Sequence, residues 1–363
     1  MKPSLSRLLT TIPGSVVLGL LLAGCATPAL RVERTQFGGS IWSEGQRRAG
    51  VLFQDGSQAI AVDGGTLWSF GDTFWGDPQP GQPPRNSQIR GAHCATLGFL
   101  PAGATNLPPA LSYYTNADGR AANPLALLPG EDEKHRRLWP TGAVLAGPHI
   151  YLYYSVIETT EAPGPWNFHG VGGGLAVADK PLSPFRRLQP EGDWKFPVEP
   201  MQAVRENGVL YLLEVSTKPR GLLLARVAEA QIEHPQAYEF YTGVGWSKER
   251  AQAKVVLSEA YGQVSVMRMP RAGGYLMATS SDFYHPREIQ LRRAARLEGP
   301  WSAPVRIAVP EMASKKTQLV YCAFLHPELS DADSGSVVVT FCRILEGNWE
   351  LTNPEWAVFK LAL

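Results

Sequence analysis

Trp68-Ser69-Phe70-Gly71-Asp72-Thr73-Phe74-Trp75-Gly76 is an aromatic run that carries a carboxylate near its end. Trp, Phe and Thr favour a pleated, half-buried surface, so the run reads as a strand. Gln58-Ala59-Ile60-Ala61-Val62 forms an apolar run upstream, and Asp63-Gly64-Gly65 separates the two. A short glycine-containing break between such runs predicts a β-hairpin. That hairpin returns its ends to one edge of a sheet. Asp55, ahead of the first run, and Asp72 are therefore expected about one strand spacing apart, ~5 Å or a little more.

The same theme recurs along the chain without repeating its letters. An apolar stretch, a turn and a second apolar or aromatic stretch occur at Gln58–Phe74, Thr141–Glu158, Met201–Thr217, Gln263–Ser281 and Val320–Arg343. Their turns are Asp63-Gly64-Gly65, Gly147-Pro148, Asn207-Gly208, Ala272-Gly273-Gly274 and Asp333-Ser334-Gly335-Ser336. Successive turns lie roughly 60 to 85 residues apart, a period that signals repeated sheets. Weaker β segments follow most hairpins, at Gly174–Asp179, Gly221–Val227, Glu288–Arg296 and Trp356–Leu363. Two of them share an ending, Ser183-Pro184-Phe185 and Gly299-Pro300-Trp301. Four strands per unit and five units predict an all-β, five-bladed β-propeller of four-stranded antiparallel blades over residues 50–363. Arg31–Trp42 is available as a ring-closing strand, within a linker at residues 25–49. No long helix is expected, because no strong 3.6-residue apolar period runs for three turns; a short one is expected over Val227–Glu233.

Composition fits this reading and narrows the partners. Only 18% of residues are charged, while the chain holds 36 Gly and 30 Pro, a balance suited to buried sheets joined by many turns. Lys2 and Arg7 precede an uncharged apolar run, Leu8–Leu22, and Leu22-Ala23-Gly24-Cys25 follows. The run is short and broken by Pro13 and Gly14, so residues 1–24 read as a secretion signal and not as a membrane span. The pattern resembles a bacterial lipoprotein signal, which makes Cys25 the lipidated first residue and implies a membrane anchor. Ala26 follows, where an inner-membrane retention signal carries Asp, so an outer-membrane location in the cell envelope is expected. Cleavage by ordinary signal peptidase after Ala26 is the alternative and leaves an unanchored protein. Loss of Lys2 and Arg7 turns the formal charge from +1 to −1. With no basic stripe, nucleic acid is not an expected partner. Cys94, Cys322 and Cys342 remain, an odd count. Cys322 and Cys342 can face each other across the last hairpin as a disulfide or as buried thiols. No zinc-site spacing and no HExxH occurs, so neither a metal nor a cofactor is expected.

In a propeller the first strand of each blade lines the central channel. The start of strand one and the end of strand two then share one face. Blade one places Asp55 and Asp72 there, blade two Trp139, Thr141 and Glu158, and blade three Glu199 and Glu214. Blade four adds Tyr261, Gln263 and Asp282, and blade five Tyr321 and His326. Trp75 and Trp139 are candidate stacking platforms, and Glu199 is a candidate third acid. Aromatic faces with converging carboxylates and amides suit a carbohydrate ligand. Two carboxylates at the spacing expected for Asp55 and Asp72 suit glycosidic bond cleavage.

Several blocks together resemble one family. They are Asp55-Gly56-Ser57 with Gly65-Thr66-Leu67-Trp68-Ser69-Phe70-Gly71-Asp72-Thr73, and Trp139-Pro140-Thr141-Gly142 with Tyr151-Leu152-Tyr153-Tyr154. Ala237-Tyr238-Glu239-Phe240-Tyr241-Thr242-Gly243, Gly245-Trp246, Gly299-Pro300-Trp301 and His326-Pro327-Glu328-Leu329 continue the match. In this order they resemble the endo-D-arabinofuranase glycoside hydrolases, long catalogued as a domain of unknown function. The resemblance runs from about Gly50 to the C-terminus. It implies the five-bladed propeller, cleavage of furanosidic linkages as in D-arabinan, and catalytic roles for Asp55 and Asp72. Gln263 departs from it, standing where many relatives are expected to carry Glu. The expected function is a surface-anchored glycoside hydrolase using carboxylate acid/base chemistry. Its alternative is a non-catalytic propeller that binds glycan or scaffolds the envelope.

Overall fold

Short turns set the framework. Asn207 and Gly208 both take positive φ, 49° and 75°, the pair that a two-residue hairpin turn needs to match the twist of its strands. They join Gln202–Glu206 to Val209–Thr217. The computed structural model of the protein describes residues 30–129, 131–161, 167–188, 196–280, 287–313, 315–346 and 350–362. Over these residues it shows five small antiparallel sheets and almost no helix. The secretion signal, Cys25 and Asp282 lie outside the described residues.

Each sheet is one blade of a five-bladed propeller. Blade one runs outward through Val51–Val62, Gly65–Gly76, Thr96–Pro101 and Ser112–Tyr113, with Ile89–His93 added along the end of the second strand. Blade two is Arg136–Ala146, His149–Thr159, Phe168–Ala178 and Arg186–Leu188. Blade three continues Gln202–Glu206 and Val209–Thr217 with Arg220–Ala228, Glu239–Tyr241 and Trp246–Ser247. Blade four is Val264–Arg268, Tyr275–Ser280, Glu288–Ala294 and Val305–Ala308. The shared Pro-aromatic endings lead into the outer strands of blades two and four: Phe185 precedes Arg186, and Pro300-Trp301 lies just ahead of Val305. The short helix expected at Val227–Glu233 is replaced by a strand that runs on to Ala228 and a single 3-10 turn at Glu229–Gln231.

Blade five closes the ring. It comprises Thr317–Leu325, Ser336–Leu345 and Glu355–Leu361, and its outer strand is the N-terminal Val32–Ser40. That strand pairs antiparallel with the last one, Val32 opposite Leu361 and Gln36 opposite Val358. Phe37 stands edge-on to Phe341 and Phe359, at 6.0 and 6.4 Å between ring centroids.

The core is divided among the blade interfaces, so strands bury both faces. Tyr151 and Tyr153 pack with Leu210 and Leu212 of blade three, while Leu152 and Tyr154 pack with Leu67 and Leu97 of blade one. This explains why Tyr151-Leu152-Tyr153-Tyr154 carries no polar alternation. Around the axis, polar side chains tie inner strands of neighbouring blades together and, across the ring, tie blade one to Met201 just ahead of blade three. Gln202 donates to the Val266 carbonyl (2.9 Å), the Leu325 amide donates to Ser265 Oγ (2.9 Å), and the Gln58 amide donates to the Met201 carbonyl.

Ring closure by the N-terminal strand has a measurable consequence. Phe37 is half-buried, so Phe37→Ala is expected to cost about 2 kcal/mol, roughly half the usual loss for a fully buried Phe. Urea unfolding checks this; an unchanged midpoint would mean that the strand adds nothing to the closure.

Candidate active site

Irregular pairing in blade one builds the site. Gln54 pairs with Thr73 and Gly56 with Phe70, so Gly71 and Asp72 together face the single residue Asp55. One step on, the extra residue passes to the other strand, where Gly56 pairs with Phe70 and Gln58 with Ser69. Asp55 thus lies inside its strand, not ahead of it as the sequence suggested. Such bulges re-aim side chains and are common beside active sites. Gly56 and Ser57 take φ of 83° and 109°, a region that Ser rarely adopts. Buried hydrogen bonds hold Ser57 there: its hydroxyl meets Thr340 Oγ1 at 2.8 Å, and Thr340 Oγ1 meets His326 Nε2 at 2.7 Å.

The Asp55 carboxylate lies across the neighbouring strand. A Cβ at Gly71 would sit 2.4 Å from Asp55 Oδ1, so only glycine leaves room for it. Tyr321 of blade five donates its hydroxyl to Asp55 Oδ2 at 3.1 Å, and the Asp72 backbone amide also acts on this carboxylate. Both Asp55 and Asp72 keep a narrow opening to solvent while protein surrounds them. Burial, then the neighbouring Asp72 charge, pushes Asp55 up from 3.8 to about 7, against the pull of the Tyr321 hydroxyl and the Asp72 amide. Burial also raises Asp72. The Arg137 guanidinium and the Trp139 indole N–H oppose that rise, and Glu133 reinforces it. The Trp139 indole N–H faces Asp72 as a donor but falls short of a full hydrogen bond.

The other expected site residues are spread around the ring. Trp139 stands with the acid pair, and Thr141 follows it on the inner strand of blade two with its buried hydroxyl unpartnered. Glu199 belongs to a separate cluster between blades two and three. It accepts from Ser155 Oγ at 2.6 Å, lies over Gly173, and is pushed up first by burial and then by Glu214. Glu214 itself is held by Arg250, with Nη1 at 2.8 Å, and Glu158 pairs with Arg136, so both are structural ion pairs. On blade four, Tyr261 lies under the Arg220 guanidinium at 4.5 Å, and Gln263 Oε1 accepts from the Cys322 amide at 3.3 Å. Trp75 sits at the rim, stacked against His93 and beneath Arg120.

His326 is not at the funnel. It is fully buried, stacks on Trp68 at 4.1 Å, and bonds Glu328 through Nδ1 and Thr340 through Nε2. It therefore supports the backbone at Ser57. Cys94, Cys322 and Cys342 are all buried free thiols, and Cys342 Sγ lies 3.7 Å from the Gly56 carbonyl, just beneath Asp55. Arg137 and Glu133 were missed by sequence reasoning. Arg137 was within reach of it, standing two residues before Trp139 on the same strand face. Glu133 sits in the charged loop Glu131-Asp132-Glu133-Lys134, which carries no motif.

Folding binds a proton at Asp55. Between 3.8 and about 7 the native state holds more protons than the unfolded chain, so stability falls as pH rises through that window and stays lower above it. Asp55→Asn removes this penalty. It is expected to raise the melting temperature at about pH 8 by at least ~2 °C and to change it little near pH 4. An equal effect at both would remove Asp55 as the titrating group.

The geometry has relatives among solved structures. The fold is similar to a protein from Bacteroides ovatus ATCC 8483 that is assigned provisionally as a hydrolase (TM-score 0.65, 19% identity, 87% of each chain covered). It is also similar to an exo-β-1,3-galactanase from Phanerochaete chrysosporium, solved with β-1,3-galactotriose (TM-score 0.54, 12% identity, 90% of this chain and 64% of that one). A family 117 glycoside hydrolase from Zobellia galactanivorans matches at TM-score 0.50 and 12% identity over 90% of both chains. At these identities the likeness is one of fold. A search of curated proteins gives no match. The sequence over residues 49–342, which holds both aspartates and all five inner strands, matches one family profile, and the chain belongs to that family, described as a domain of unknown function (DUF4185).

Proposed function

We propose that the protein is a glycoside hydrolase that cleaves furanosidic linkages in a D-arabinan-like glycan, with Asp55 and Asp72 as its reacting carboxylates. The observation that carries this reading is the pair itself: two carboxylates on adjacent strands, open to solvent, one of them held at about 7. Near neutral pH, Asp55 keeps a proton for a large share of molecules, which suits a general acid. It donates that proton to the leaving oxygen as the glycosidic bond breaks. Asp72, whose rise Arg137 opposes, is given the nucleophile's part and attacks the anomeric carbon as a carboxylate. At one strand spacing, about 5 Å, the pair fits the two-step retaining course. Asp55, now ionised, then takes a proton from the water that releases the sugar from Asp72. In this reading the Trp139 indole N–H and the Thr141 hydroxyl, both unpartnered, serve as polar groups beside the acid pair. The similar fold solved with β-1,3-galactotriose lends support to a carbohydrate ligand. The D-arabinan assignment rests on the family blocks quoted above.

The test is product release from a panel of furanose polymers, D-arabinan and L-arabinan included. The native protein is expected to release oligosaccharides with retained anomeric configuration. Asp72→Asn is expected to lose about 10²–10⁴-fold in rate while staying folded. Activity should fall as pH rises through about 7, where Asp55 loses its proton. Silence across the panel from folded protein would favour the glycan-binding alternative.

We also propose that Cys25 carries a lipid that holds the propeller at the cell envelope, in the outer membrane where there is one. The support is the signal pattern ending Leu22-Ala23-Gly24-Cys25-Ala26. Metabolic labelling with a radioactive fatty acid is expected to mark the native protein and not Cys25→Ser; labelling of both would overturn it.

A further inference from the structure

The face that carries the acid pair also opens into a cleft of about 620 Å³ between blades five and one, with Trp42, Phe53, Pro83, Arg85, Asn353 and Glu355 in its lining. Its position links it to Asp55. Phe53 precedes Asp55 by two residues on one strand, and the extra residue between their pairings belongs to the partner strand. Their side chains therefore share a face, about 7 Å apart along the strand. The Tyr321 contact shows that this face looks toward blade five. The cleft therefore lies beside the acid pair along that strand.

Its lining has a definite chemical character. Asn353 is only 6% exposed, and its Nδ2 donates to the Leu52 carbonyl at 2.8 Å. That bond orients the amide and leaves Oδ1, a buried acceptor, without a donor. Buried acceptors are seldom left so, and a hydroxyl is the simplest group to complete this one. The Trp42 indole is fixed by its N–H bond to the Val51 carbonyl at 2.9 Å, and with Phe53 it offers aromatic surface. The Glu355 carboxylate is already engaged by Arg343 at 2.7 Å, so the cleft does not call for a cation. Oriented acceptors beside aromatic faces, in a space of this size, suit a neutral, hydroxyl-rich ligand.

We infer that this cleft is a glycan subsite, holding sugar units of the chain that flanks the bond at Asp55 and Asp72. In it, Asn353 Oδ1 accepts from a sugar hydroxyl, and Trp42 and Phe53 lie against C–H faces. The ligand class rests on the hydrolase reading above, while the site rests on its own geometry.

Filling the cleft tests it. Gly39 lines it, and a Cβ there meets nothing within 4 Å, so Gly39→Phe adds bulk to the cleft from a position that admits a side chain. Met312→Trp does the same from an exposed side chain, 40% accessible, and serves if the first variant folds poorly. Both are made in the full chain on the Asp72→Asn background. Binding is measured by calorimetry against D-arabino-, L-arabino-, xylo- and galacto-oligosaccharides, from disaccharide to hexasaccharide. The expected result is a loss of roughly tenfold or more for the longer members of the series that binds, with disaccharide affinity unchanged. Unchanged affinity at every length in folded variants overturns the inference, as does failure of every oligosaccharide to bind. Cleft-dependent binding by a native protein that hydrolyses nothing would support the subsite and sink the hydrolase reading. Hydrolysis with affinities blind to both variants would do the reverse.

Discussion

A blade that is apolar on both faces has no solvent side, so each sheet here depends on a neighbour at either hand. Tyr153 needs blade three as Tyr154 needs blade one. This constraint propagates around the ring until the last sheet must meet the first. The structure meets it with Trp68 of blade one stacked on His326 of blade five, and with a fifth sheet whose outer strand comes from the start of the chain. Closure also places Tyr321 of blade five beside Asp55 of blade one. The acid pair is therefore completed by the same contact that completes the fold.

Burial raises both aspartates, but their neighbours differ. Asp55 has a hydroxyl, a backbone amide and another carboxylate for company; Asp72 has Arg137, an indole N–H and the Glu133 carboxylate. Neighbours that separate two like groups in this way let one hold a proton while the other holds charge. The cost falls on stability, since burying carboxylates beside each other opposes folding. Ser57, kept in a left-handed backbone by Thr340 and His326, is a second local departure from what propensity alone would choose. Both departures cluster at one hairpin.

The hairpins, their turns and the five-blade count were legible in the sequence because each rests on local signals: alternating or continuous apolar runs, and glycines at the turns. The proximity of Asp55 and Asp72 followed from the same hairpin. What lay beyond reach were features set by distant chain segments. The bulges opposite Asp55 depend on what packs beneath the strand, and nothing in Gln54-Asp55-Gly56-Ser57 announces them. His326 read as a channel residue by its place after the strand, yet the local chain turns inward at Pro327 and buries it against Trp68. The cleft between blades five and one gathers Gly39, Phe53, Arg85, Met312 and Asn353, residues that no period or motif connects.

The pairing of Val32–Ser40 with Glu355–Leu361 also orders events in time. A polypeptide emerges from the ribosome first residue first, so the strand that seals the ring is among the first described segments made, and its partner is among the last. Until Glu355–Leu361 has been made, the early strand has no edge to join, and the fifth sheet lacks its outer member. Contacts between chain ends are slow to form because so much intervening chain must be ordered before they reward it. The ring can therefore close only after Glu355–Leu361 has been made, long after the strand that seals it.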